Sequence, residues 1–455
     1  MLLHDVRLAL RSIRRNPILS ALMILTIAVG IAASMIAITL YHARAGHPIP
    51  WKENKLFAVT MDTRDNEPDQ GFTKHPEYPP PLLTFIDAEA LYRSDIPRHS
   101  VMMFRTGKLL SPERGNVKPF DTIVRVTTAD FFAMFDVPFQ FGGGWPHQSD
   151  SAPDNVVVIS KYINDKVFGG ENSVGREITL GGKTYRILGV LRPWMPQPRF
   201  YDLAWGGGGF DIPEDIYMPF GWGRTDKLSP WGVNCVRRSA RVDSPDALYT
   251  QDCVWLQYWV QLDSPAALER YQRFVDNYAR DQKQRGRFPR PVNNRIMTVS
   301  QWLEFNDVVG DDSRTQVAVA VAFLAVCILN IFGLMLAKFL SAAPIAGLRR
   351  ALGASRVDIM RQHLIEVVVV GLIGGALGLV LSFGGLALLR VVLFAQSLAT
   401  NDNPARVQLA QAMGHMDITM ILVATVLSFV TGILAGIYPA WRIGRLAPAT
   451  FLKTQ

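Results

Sequence analysis

Apolar residues in this sequence gather into four long blocks, with a long stretch of short alternating runs between the first and second. Residues 18–41 contain no charged residue, and neither do 315–337 or 418–438. The block 364–394 is interrupted only by Glu366 near its start and Arg390 near its end. Each block reaches the roughly 20 apolar residues that a helix needs to cross ~30 Å of hydrocarbon. The pattern therefore predicts an α-helical membrane protein with four transmembrane helices, at 18–43, 315–340, 363–394 and 417–440. A large extracytoplasmic domain, 44–314, is inserted between helices 1 and 2. Residues 2–15 set Leu2, Leu3, Val6, Ala9, Leu10 and Ile13 on one helical face, with Arg7, Arg11 and Arg14 on the other. That spacing predicts an amphipathic helix over 1–17 lying on membrane lipid, with Arg15 at its end.

The inserted domain shows a different periodicity. Strands are predicted at 55–62, 155–160, 254–262 and 295–300, and helices at 81–94 and from Ser264-Pro265 to about 285. Residues 176–192 read as a hairpin turning at Gly181-Gly182. The domain is thus mixed α/β. Two strand–helix–strand units bracket it, predicting a two-part α/β subdomain with a β-rich insertion at about 115–235. The Gly- and aromatic-rich loop 205–231 reads either as a contact surface for a substrate or partner, or as a connector with core tryptophans.

Charge sets the orientation. The chain carries a net charge of +8. Residues 44–314 hold 33 basic and 34 acidic side chains, so the excess belongs to the membrane flanks. A nucleic-acid protein would concentrate basic charge on its folded domain, and that class is excluded. Arginines and lysines crowd the first 17 residues, the 338–363 loop and the tail, whereas 395–416 holds only Arg406. The positive-inside rule puts both termini (1–17 and 441–455) and the 341–362 segment in the cytoplasm, and 44–314 and the short loop 395–416 outside. Ala43-Arg44-Ala45 resembles a signal-peptide cleavage site, but the 24-residue run before it exceeds the ~7–15 residues of a signal h-region, so a retained first span is expected.

Candidate chemistry is sparse. Gly182-Lys183-Thr184 resembles the end of a phosphate-binding loop, but Glu177 stands where that motif requires glycine. The eight histidines show no metal-ligand spacing, so no metal site is expected. No catalytic carboxylate pair can be chosen by spacing, and the external carboxylates read as solvated surface. Cys235 and Cys253 both lie outside, where a disulfide is permitted, but spacing alone does not decide it. The spans carry almost no ionisable group, which argues against a proton-coupled carrier. Small residues at Gly371, Gly374, Gly375, Ala376, Gly378, Gly384 and Gly385 permit close helix contact.

Three passages carry a resemblance. They are GLRRALGAS at 347–355, the tail GIYPAWRIGRLAPATFL from Gly436, and NVVVISKYINDKVFGGENSVGREITLGGKTYRILGVL at 155–191. Together with VTTADFFAMFDVPFQFGG at 126–143, they resemble the MacB/FtsX-like permeases, the membrane subunits of mechanotransmitting ABC transporters, in the branch with a MacB-type periplasmic core domain. The resemblance implies a bacterial inner-membrane permease, itself non-catalytic and without a cofactor. ATP and Mg would be bound by an ABC ATPase, expected here in a separate chain. It implies a dimer with a second permease, identical or different, a periplasmic adaptor and an outer-membrane channel, and efflux of an antibiotic, peptide or similar substrate. Some relatives instead activate a periplasmic hydrolase or release lipoproteins. The two-part subdomain would be the porter-like part. The ATPase-docking helix maps to Gly347, Leu348, Arg349, Arg350, Ala351, Leu352, Gly353 and Ala354, followed by Arg356. Exposed arginines there would meet carboxylates on the partner. Glu366 matches an acidic position at the start of the third span and is expected either to pair with a nearby arginine or to snorkel. One departure is Ile345, where the family usually has Glu.

Overall fold

The computed structural model describes residues 9, 11–44, 46–66, 77–112, 117–203, 209, 211, 213–237, 240–308, 311–351, 353, 355–400, 421–427, 429–431, 433–434 and 437. Two compact units result: a membrane-helix unit from 1–43, 309–403 and 410–455, and a second unit from 44–308 and 404–409.

Among the described residues of the second unit, twelve strands share one sheet. In chain order they are β1 (Leu56–Thr60), β2 (Leu83–Thr84), β3 (His99–Ser111), β4 (Phe120–Thr127), β5 (Phe139–Gly142) and β6 (Val156–Ile159). β7 (Glu177–Leu180), β8 (Lys183–Leu191), β9 (Ile216–Pro219), β10 (Asn234–Cys235), β11 (Cys253–Gln261) and β12 (Arg295–Thr298) follow. The main path runs β12-β1-β11-β3-β4-β9-β6-β8-β5. The first and last strands of the domain are therefore neighbours, with β1 antiparallel to both β11 and β12.

The 115–235 segment does not stand apart from this frame. β3 is 13 residues long: its first part pairs with β11 and its remainder with β4 and β7. One continuous sheet thus carries both the bracketing strands and the insertion, with β12, β1 and β11 of the two bracketing units lying side by side. Length is the physical reason, because a single strand reaches across both parts.

Both faces of the sheet are covered, so all nine residues of β11 are buried. On one face lies the Pro265–Gln284 helix, which starts at Pro265 with the Ser264 hydroxyl accepting the Ala267 N–H. It buries Ala267, Tyr271, Val275 and Ala279, spaced four apart as one helical stripe. The other face holds an aromatic cluster: Phe131 and Phe135 meet Tyr201 edge-on and tilted, and Trp259 stands edge-on to Trp302. The β7–β8 hairpin turns at Gly181 and Gly182 (φ +56° and +82°), as a two-residue turn with both φ positive requires. Cys235 and Cys253 sit opposite each other in β10 and β11 and are joined by a disulfide.

In the membrane unit, three helices among the described residues are long and apolar enough to cross a bilayer: Pro17–His42, Thr315–Lys338 and Val357–Leu389. The fourth expected span falls partly outside the described residues, which include a shorter apolar helix at Ile421–Thr431. Helices 1 and 3 pack through glycines. A Cβ at Gly374 would lie 2.7 Å from Ile27 Cβ, and one at Gly378 would lie 2.9 Å from the Ala28 carbonyl oxygen. Only a residue without a Cβ permits that approach.

The 341–362 segment, expected as a separate helix, is divided differently. Helix 2 runs unbroken from Asp311 to Ala351, and helix 3 begins at Arg356. The residues past 338 are rich in Ala, Leu and Arg, good helix formers that carry the helix through Pro344 and Gly347, and the turn comes where Gly353 adopts φ +101°.

Candidate functional site

The motif at 347–356 begins inside a helix and ends in a turn. Gly347, Leu348, Arg349, Arg350 and Ala351 form the last turns of the Asp311–Ala351 helix, Gly353 supplies the break, and Arg356 opens the next helix. Leu352 and Ala354, and the side chains of 347–351 and 356, lie outside the described residues. Ser355 caps the new helix by accepting the Asp358 N–H, while its own hydroxyl donates to the Asp358 carboxylate at 2.6 Å.

Before the motif, the described residues converge on one carboxylate. Glu366 Oε1 lies 2.6 Å from Lys338 Nζ and accepts the Ser12 hydroxyl, also at 2.6 Å. The Lys338 ammonium also donates to Ser20 Oγ at 3.2 Å, and His363 Nδ1 stands 3.6 Å from Glu366 Oε2. Lys338 and Glu366 are each only 2% exposed. The carboxylate expected to meet an arginine or snorkel therefore pairs with a lysine, inside the bundle. One acid fastens the N-terminal segment, the base of helix 2 and the start of helix 3. Removing either partner alone strands a buried charge.

The N-terminal residues bear on the same point. Arg11, Arg14 and Arg15 are exposed, Ala9 is buried and Ile13 packs on the helix-bundle core. Arg7 lies outside the described residues. A bend at Asn16 separates this turn from the helix that starts at Pro17. Ser12, which no charge or hydropathy pattern singled out, faces Glu366.

A second ionic centre lies within the large domain. Arg105 and Arg125 are directly opposite in β3 and β4, an arrangement that two like charges disfavour. Three carboxylates neutralise these two arginines and a third, Arg199. Arg125, fully buried, donates to Asp202 and to Glu214. Arg105 donates to Asp211 at 3.2 Å, and Arg199 lies 3.5 Å from Glu214. Tyr201 donates its hydroxyl to Glu214 at 2.9 Å, and Gln257 donates to Asp202 at 2.8 Å. Burial opposes ionisation of Glu214, but Arg125, Arg199 and Arg105 more than offset it and hold the carboxyl at about 2.

The acids stand on both sides of the Gly-rich run, Asp202 before it and Asp211 and Glu214 after it, so the loop is pinned to the sheet at each end. Trp222 is buried edge-on to Tyr185, and the Arg105 guanidinium lies 4.3 Å above the Trp231 ring. Trp222 is thus a core tryptophan, whereas Trp231 is exposed, and residues 204–208, 210 and 212 lie outside the described residues. The centre was not singled out from the sequence, where the carboxylates read as solvated. The available signal was an arginine within the buried part of each strand, Arg105 after VMMF and Arg125 between two valines.

Comparison with known proteins places both units. Residues 20–278 match the MacB-like periplasmic core domain, and residues 317–448 match the FtsX-like permease C-terminal domain. The macrolide export ATP-binding/permease protein MacB of Wolinella succinogenes is 22% identical over 100% of this chain and 61% of its own length. The MacB protein of Hahella chejuensis is 36% identical over 66% of this chain and 38% of its own length. The pyoverdine export ATP-binding/permease protein PvdT of Pseudomonas aeruginosa is 22% identical over 85% of this chain and 50% of its own length. The chain thus spans between about two fifths and three fifths of these relatives. Among solved structures, the periplasmic region of MacB from Actinobacillus actinomycetemcomitans aligns with a TM-score of 0.34 at 12% identity, over 55% of this chain and 92% of that one.

Proposed function

This chain belongs to the MacB/FtsX-like family of ABC transporter permeases, and from that premise we propose that it is the non-catalytic membrane subunit of an exporter driven by ATP hydrolysis on a partner chain. In this reading ATP and Mg bind to the partner ATPase, which docks on 347–356 from the cytoplasm. Two permeases work together in the inner membrane. The 44–314 domain faces the periplasm and passes substrate towards an adaptor and an outer-membrane channel.

The observation that carries the reading is the single helix Asp311–Ala351. Its 41 residues correspond to a rod of about 60 Å at 1.5 Å per residue. The rod begins a few residues after the large domain ends and finishes in the docking motif, so a displacement at one end is conveyed to the other along one continuous helix, with Pro344 the point at which it can bend. The Lys338–Glu366 pair fixes that rod to helix 3 about two and a half turns before the motif.

The test is co-purification of an ABC ATPase with the full chain from native membranes. Capture with the wild type, and its loss in Arg349→Glu/Arg350→Glu at equal permease abundance, is the expected outcome. An ATPase that stays bound to the double variant would remove the docking assignment.

A further inference from the structure

A cleft of about 460 Å³ opens on the large domain, between the Lys161–Phe168 helix, the segment 191–195 that follows β8, and residues 213–217 at β9. That volume is within the ~300–1,000 Å³ range of small-molecule sites. Its wall is apolar and aromatic: Leu191, Trp194, Met195 and Tyr217. Trp194 is held rigidly, stacked on Tyr201 at 5.2 Å and edge-on to Phe131 at 5.9 Å. Prolines at 193 and 196 stiffen the backbone on either side of it.

The charges on the lining are unevenly satisfied. Asp165 is paired with Lys161 at 2.7 Å. Glu214 belongs to the buried arginine centre. Asp215 accepts the Ile123 N–H at 2.8 Å. Lys166 donates to the Tyr162 hydroxyl at 2.9 Å and lies over the Phe120 ring at 3.6 Å. Every acid on the lining thus has a partner. Arg192 is exposed, and its guanidinium makes no hydrogen bond or ion pair among the described residues. A pocket with an aromatic wall and one unsatisfied cation is complementary to an apolar ring system bearing an anion.

We propose that this cleft is a binding site for amphipathic carboxylates or sulfonates, the ring body against Trp194 and the anionic head on Arg192. The assignment goes beyond the transport reading, because it concerns what this chain binds with or without an ATPase.

The experiment uses the full chain in nanodiscs of zwitterionic lipid, titrated with 2-naphthoate and with 2-naphthylmethylammonium, with heat measured against empty nanodiscs. Saturable binding of naphthoate at one site per chain is expected, with the cation bound at least about tenfold more weakly. Arg192→Glu is expected to weaken naphthoate binding by about tenfold or more and to leave the melting profile unchanged, since the side chain is exposed. Trp194→Ala should weaken both probes alike. Equal binding of the two probes, no effect of Arg192→Glu, or heat no greater than that of empty nanodiscs would each overturn the assignment. None of these results touches the docking test above, which reads ATPase capture and not ligand binding.

Discussion

The two buried ionic sites solve the same problem in opposite ways. At the base of the membrane helices, one lysine and one glutamate face each other, with serine hydroxyls and a histidine around them. In the large domain, three arginines share three carboxylates. Among the described residues, Glu366 has no second lysine or arginine beside it to take over if Lys338 is lost. A network redistributes its contacts, because Arg105 and Arg199 already lie within 4.0 Å of the carboxylate that Arg125 holds. The difference teaches where rigidity is concentrated. Among the described residues the membrane unit places its buried charge in one pair, whereas the sheet spreads the task over two strands and a loop.

The sharpest way to break this comparison is to delete one charge from each site. Lys338→Met leaves Glu366 buried without its cation and is expected to cost about 3–5 kcal/mol. The double variant Lys338→Met/Glu366→Leu removes both charges and should recover most of that loss, because a buried pair replaced by apolar residues is often neutral. Arg125→Met should cost less, about 2–3 kcal/mol, since two arginines remain beside Glu214. Thermal unfolding of the purified full chain in detergent, with separate probes for the helical and sheet transitions, gives all three values. An Arg125→Met penalty equal to or above that of Lys338→Met would show that the network does not redistribute. Failure of the double variant to recover would show that the lysine is needed for more than neutralising Glu366.

What could be read from the sequence divides along the same line. Hydrophobic blocks marked the three described spans, and period-two runs with glycine turns marked strands such as 155–160, found at Val156–Ile159, and the hairpin at Gly181-Gly182. These are local signals. The merging of the insertion into one sheet was not visible, because it depends on β3 pairing with partners more than a hundred residues away as well as with its neighbour. Glu366 was visible as an isolated charge in an apolar run, but its partner was not. Lys338 looked like a topology signal at a helix end, and Ser12 like an ordinary polar residue. Arg125 and Asp202 are 77 residues apart, and nothing in composition or spacing links them. Hydropathy falls at Lys338, whereas the helix continues through Pro344 and Gly347 and ends only before Gly353. The two signals end a helix for different physical reasons.

A smaller effect sharpens the view of the large domain, where adjacent acids are shifted in opposite directions. Burial pushes the Asp215 carboxyl up to about 6 from its ordinary 3.8, and neither the Ile123 N–H nor Lys166 restores it. Glu214, next to it, is held down at about 2 against 4.5, the arginines more than offsetting burial. For Glu214 the folded value is depressed, so its contribution to stability is full above 4.5 and is lost as pH falls from there towards 2. For Asp215 the folded value is raised, so its contribution is full below 3.8 and is lost as pH rises from there through 6. Asp150, also raised to about 6 chiefly by burial, adds to the second trend. Together these three groups favour a stability maximum near pH 4, with a decline on both sides. Asp215→Asn should therefore raise stability at about pH 7.5 by ~2 kcal/mol while still accepting the Ile123 N–H. It should also flatten the slope between about pH 4 and 6 that Asp215 contributes. Melting temperatures of the sheet transition at three pH values test this. A loss of stability at neutral pH in the variant would mean that the charged form of Asp215 is favoured after all, and that Lys166 outweighs burial at that position.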